Sequence, residues 1–91
     1  MTRIPPGVYI IFMKSTISKQ EKKIVTRLKR VEGQLRGIVK MIENDEPINK
    51  VGVQLKAALS GLESADDAFK RMLIIEQVYE GMEKALEEIK N

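Results

Sequence analysis

The stretch IVTRLKRVEGQLRGIVKMI, residues 24–42, places Ile24, Leu28, Val31, Leu35, Ile38 and Ile42 at successive steps of 4, 3, 4, 3 and 4. A strand needs apolar residues at every second position. The 4/3 alternation instead keeps them on one side of a helix in a left-handed bundle. Working upstream, Ser18 and Glu21 have capping-box spacing: the serine oxygen takes a backbone N–H and the glutamate reaches back. That spacing predicts a first helix beginning at Lys19. Downstream, Asn44-Asp45-Glu46-Pro47 supplies a stop, with acidic residues and a proline suited to open the next helix. Some 26 residues at 1.5 Å each give a rod of roughly 39 Å.

The seam resumes with Ile48, Val51, Leu55, Ala58, Leu62, Ala65, Phe69 and Met72, a second helix in which Gly52 and Gly61 permit close helix approach at a cost in propensity. Past Met72 the apolar phase changes to Ile75, Tyr79, Met82, Leu86 and Ile89, which predicts a junction near residues 72–76 and a short third helix. No Gly or Pro marks that junction, so one continuous helix to Glu80 is the alternative. The apolar run Val8–Met13 reads as a strand-like arm, or as an extension ahead of a start at Met13. The expected organisation is therefore an extension or arm over 1–13 and one helical oligomerisation domain over 14–91. The fold class is all-α: a three-helix subunit whose antiparallel hairpin needs a second copy to complete a four-helix bundle.

Composition narrows the chemistry. The 91 residues include four aromatics, no tryptophan, no cysteine and no histidine. A chain this small leaves a lone core marginal, and neither disulfides nor thiolate metal sites can staple it. Without Cys or His there is no nucleophile–imidazole relay, so an enzyme is not expected. Glu76, Glu80, Glu83 and Glu87 share a helical face, but a carboxylate metal site in a bundle would want the histidine partner this chain lacks. They read as a solvated acidic face, and no cofactor is expected. No stretch approaches the ~20 apolar residues of a membrane span. The N-terminal run, preceded by Arg3 and two prolines with no small-residue cleavage site after it, makes a poor signal peptide. The expected location is cytoplasmic, with no membrane partner.

Charge is strongly segregated. Residues 1–42 carry ten Lys/Arg against Glu21 and Glu32, a net +8, whereas residues 43–91 carry six basic and eleven acidic residues, a net −5. With the seam of the first helix set at 0° and about 100° per residue, Lys19, Lys22, Lys23, Lys29, Arg30, Arg36 and Lys40 fall between about 120° and 260°, and Arg27 near 300°. Gly33 and Gly37 also face outward there. A solvated face ordinarily mixes signs in i,i+4 pairs. A one-signed strip suits a polyphosphate, because each neutralised phosphate releases condensed counterions. Double-stranded DNA is the expected partner, together with further copies of the chain. A helical interaction module for an acidic protein, or a non-specific architectural DNA binder, is the alternative.

The run RLKRVEGQLRGIVKMIEND, residues 27–45, closely resembles the signature of the CsoR/RcnR/FrmR family of metal- or formaldehyde-responsive transcriptional repressors. The likeness continues more weakly through Gln54–Leu59 and covers about residues 20–78. The resemblance implies a three-helix subunit, a tetramer made from two four-helix-bundle dimers, and DNA binding through basic helix faces. It marks Arg27 as the first-helix arginine used on DNA, Lys29, Arg30 and Arg36 as basic positions around it, and Gln34 as the glutamine of the signature. Lys22, Lys23 and Lys40 extend the candidate strip. The basic position late in the family's second helix falls on Ser64, so Lys56 is the candidate substitute. The family's metal ligands, a cysteine opening the second helix and a His/Cys pair near its end, fall on Ile48, Leu73 and Gln77, with Pro47 where a tyrosine precedes the first cysteine. None supplies a thiolate or imidazole, so no metal is expected.

Overall fold

The computed structural model describes residues 5–90, with the side chains of Pro6 and Lys90 left aside. Two long helices account for nearly all of it: α1, Pro6–Glu43, and α2, Ile48–Lys90. They form an antiparallel hairpin measuring 67 × 24 × 16 Å. The turn between them lies where the sequence places it. Asp45 takes a left-handed φ of 52°, and its N–H donates to the Ile42 carbonyl at 3.1 Å while that of Glu46 donates to Met41 at 2.9 Å. This is a Schellman closure with aspartate in the position glycine usually fills. Pro47 then accepts from the N–H groups of Lys50 and Val51, opening α2.

Two expectations change. First, α1 begins at Pro6 rather than Lys19, so residues 6–13 are helical and continuous with the rest instead of a strand-like arm; residues 1–4 of the expected arm lie outside the described residues. The reason is packing. Ile10, Met13, Ile17 and Gln20 continue the 3/4 spacing and are at least half covered, as are Ile75, Tyr79, Met82 and Leu86 on α2. Ser18 sits mid-helix, because a capping box cannot end a helix whose next turns are buried. Second, the described residues form two helices and not three, since α2 runs unbroken through residues 72–76.

The apparent change of phase at Met72 comes from two stripes on one helix. The stripe facing α1 consists of Val51, Ala58, Gly61, Ala65, Ala68, Met72, Ile75, Tyr79, Met82 and Leu86, an even 3/4 alternation from Ala58 onward. Its small members, Gly61 and Ala68, are outweighed in the sequence by the large neighbours Leu55, Leu62 and Phe69, which lie on a second stripe. The same holds for α1, whose inward stripe is Gln20, Ile24, Arg27, Val31, Gln34, Ile38 and Met41. Among the described residues the fully buried core is Val31, Ile38, Ala58, Ala65 and Ala68. Alanines and a glycine on α2 let the helices approach closely. A Cβ placed on Gly61 would lie 2.7 Å from Cγ2 of Val31.

Half of the sequence-defined seam therefore faces away from the partner helix. Leu28, Leu35 and Ile42 on α1, and Leu55, Leu62 and Phe69 on α2, are 44–58% exposed. Each follows an inward residue by four positions, a rotation about 40° beyond a full turn. The sense of rotation is the same on both helices, and because they run antiparallel the two stripes emerge on one flank of the hairpin. The chain exposes 7443 Å², against about 5,400 Å² for a compact folded chain of its mass. No helix among the described residues is long and apolar enough to cross a membrane.

Candidate nucleic-acid interface

The candidate DNA residues point in several directions once the inward stripe is fixed. Lys22, Lys29, Arg36 and Lys40 lie on the outer side of α1, exposed to solvent. Arg36 is tied to Glu32 by an ion pair of 2.8 Å, so the strip is less uniformly free than its composition suggests. Lys23 and Arg30 lie on the flank opposite the apolar one. Arg27 and Gln34 belong to the inward stripe. Lys56 is exposed on the outer side of α2, away from α1, and does not extend the strip.

Arg27 is partly buried, and its Nη1 donates to the backbone carbonyl of Ser64 at 2.9 Å, linking the helices. Seven positions to either side, Gln20 and Gln34 each hold a buried Oε1 without a hydrogen-bond partner among the described residues. These three residues make a polar line along an otherwise aliphatic seam, which is why the inward face of α1 is hard to read as core. A guanidinium–carbonyl bond of this kind contributes about 1.5 kcal/mol. Arg27→Gln is expected to lower the thermal midpoint followed by circular dichroism. An unchanged midpoint would mean that the link to Ser64 carries no stability.

The positions that correspond to metal ligands do not form a site within one chain. Ile48 opens α2 and is 89% exposed, Leu73 is 42% exposed, and both lie on the apolar flank. The 25 positions between them on one helix span about 37 Å. Hydrocarbon side chains offer no lone pair, and the Gln77 amide is a poor ligand for a soft ion. Among the described residues there is no group of three His, Cys, Asp or Glu able to hold a metal. The residues present do not fit a thiolate–imidazole centre.

Arg71 was not singled out by the sequence. It is a single basic residue beyond Lys70 in the acidic half of the chain, and only the register of the hairpin brings it onto the flank of Lys23 and Arg30. Lys70 itself hydrogen-bonds and pairs with Asp66 at 3.0 Å, which raises its pKa above the ordinary lysine value.

Comparison with known proteins agrees with the signature in α1. Residues 20–91 match the family described as metal-sensitive transcriptional repressor, so the first turns of α1 precede the matched region. The chain is 43% identical over 47 residues to the copper-sensing transcriptional repressor CsoR of Bacillus subtilis, covering 52% of this chain and 46% of that protein. It is 45% identical over 47 residues to the copper-sensing transcriptional repressor RicR of Mycobacterium tuberculosis, covering 52% and 49% respectively. The chain thus aligns with about half the length of these curated relatives. No solved structure matches it. A family match across both helices, together with the α1 signature on this hairpin, places the chain in the metal-sensitive transcriptional repressor family.

Proposed function

We propose that this chain is a DNA-binding repressor that works as an oligomer and does not sense metal through its family's usual positions. The observation that carries the reading is the segregation of charge onto α1, +8 over residues 1–42 against −5 beyond, in a chain of a repressor family. Lys22, Lys23, Lys29, Arg30 and Lys40 are the exposed cations offered to phosphates. Arg36 joins them by exchanging Glu32 for a phosphate and Arg27 contributes from the edge of the seam, whereas Gln34 lies within the seam and Lys56 on the far side of α2. The uncovered apolar flank supports a homodimer closed into a four-helix bundle, and a dimer of such dimers gives a homotetramer. A protein acting on chromosomal DNA works in the cytoplasm. With Ile48, Leu73 and Gln77 in place of ligands, release from DNA is assigned to an effector other than a thiolate-bound metal.

Fluorescence anisotropy tests the reading, with duplex DNA from upstream of the chain's own gene beside a scrambled duplex, at two salt concentrations. Selective binding that weakens steeply with salt is expected without metal, and stoichiometric Cu(I), Ni(II) or Zn(II) should leave it unchanged. Metal-driven release would overturn the loss of sensing. Weak, equal binding to both duplexes would replace the repressor with an architectural binder.

A further inference from the structure

We propose that Arg71 of α2 joins Lys23 and Arg30 of α1 in one phosphate-binding patch that spans both helices, with Arg27 at its base. The proposal rests on the DNA-binding reading and deepens it by naming a contact on the second helix.

The flank is located by two grooves. At the open end of the hairpin, Tyr9, Phe12 and Thr16 of α1 face Ile74 and Val78 of α2 across one groove. At the turn end, Met41, Asn49, Lys50 and Val53 line another. In helices packed with a 3/4 alternation, residues seven apart stay on the same side. Counting by sevens from Tyr9 and Thr16 leads to Lys23 and then Arg30. Counting back from Val78 leads to Arg71 and then Ser64, whose carbonyl holds Arg27. Val31 meets Gly61 across the hairpin, and Lys14 Nζ lies 5.5 Å from the Tyr79 ring centroid. That register sets Arg71 close to the level of Lys23.

Lys23, Arg30 and Arg71 are all exposed. Lys23 and Arg30 are about 10.5 Å apart along α1, and Arg71 stands beside them on the neighbouring helix. Arg27 lies one turn from each α1 cation, and a guanidinium has five N–H donors. One of them is fixed on Ser64, which orients the group and leaves others for a phosphate oxygen. Asp67, one turn before Arg71, makes no ion pair with it among the described residues. The arrangement suits a DNA strand crossing obliquely from α1 to α2, each cation neutralising a backbone phosphate rather than reading a base.

Anisotropy against the duplex above, over a range of salt, tests this with wild type, Arg71→Ala, Arg71→Lys and Lys70→Ala. Light scattering and circular dichroism monitor assembly and folding. For each Arg71 copy that the bound oligomer sets on a phosphate, Arg71→Ala is expected to weaken binding about tenfold and to make the log–log salt slope shallower by about 0.9. Arg71→Lys should restore the slope, and Lys70→Ala, on the outer side of α2 and paired with Asp66, should leave it unchanged. If wild type binds and Arg71→Ala keeps the wild-type slope, this inference is overturned alone. If wild type shows no salt-dependent binding to duplex DNA, the repressor reading falls and this one with it.

Discussion

Leu62→Glu is expected to take the proposed assembly apart while costing a single hairpin little. Leu62 is 44% exposed in the isolated chain, on the flank that α1 does not cover. If the chain functioned alone, a glutamate there would gain hydration and disturb no core contact. In a two-fold pair each copy presents the same residue, so the change is felt twice. Fully burying an exposed leucine contributes about 1.5–3 kcal/mol. Covering the 44% of Leu62 still exposed therefore contributes about 0.7–1.3 kcal/mol per copy and about 1.3–2.6 kcal/mol across the pair, before any carboxylate is desolvated. At about 1.4 kcal/mol per decade, that loss alone makes dissociation easier by about 10- to 70-fold, and the two carboxylates desolvated in the interface add to it. Sedimentation equilibrium reads this directly. An assembly of unchanged mass at micromolar concentration would place the interface on a different surface.

One residue earlier the expectation has another cause. Gly61→Val should lower stability by about 3 kcal/mol, the upper part of the range for overpacking. The new Cβ would lie 2.7 Å from Val31 Cγ2, whereas carbon atoms rest at about 3.5–4.0 Å. Val31 cannot swing aside readily, because a β-branched side chain in a helix has one strongly preferred χ1. The helices must part locally, and Ala58 and Ala65 lose packing with them. Gly52 provides the contrast. A Cβ there meets nothing within 4 Å, so Gly52→Ala should stabilise by up to about 1 kcal/mol through helix propensity. Thermal midpoints should separate the two variants by about 12–32 °C, at roughly 4–8 °C per kcal/mol for a chain of this size. Equal midpoints would mean that the helices do not meet at Gly61.

The sequence states the helical class and the turn plainly, because Ile24–Ile42 carries the period and Asn44–Pro47 carries the stop. It conceals which helix faces which. The large apolar residues belong to two stripes, and the inward one is diluted by Gln20, Arg27 and Gln34 on α1 and by Gly61 and Ala68 on α2. A period search finds the large residues and reads the small and polar ones as surface. The same blending produces a spurious break after Met72, where the stripe of Leu55, Leu62 and Phe69 gives way to Glu76 and Glu83 and the inward stripe of Ile75, Tyr79 and Met82 carries the period. The capping box at Ser18 is a real local preference that tertiary packing of Ile10, Met13 and Ile17 overrides. The basic strip is legible as composition, but its division among an outer side, a flank and a buried seam depends on the rotation of α1, and Arg71 on the pairing register.

That register also bears on how the chain folds and breathes. Each residue of α1 meets a residue of α2 at a distance along the chain that grows steadily away from Asp45, from a few positions beside the turn to more than 60 at Met13. Closing the turn first makes every later pairing a short extension, so the hairpin should zip outward without closing a large loop at any stage. Local opening should start where the two helices end together at Pro6 and Lys90 and reach the alanine-lined centre last. Amide hydrogen exchange should therefore slow along α1 from its first turns toward Val31 and Ile38, with the mirrored order along α2.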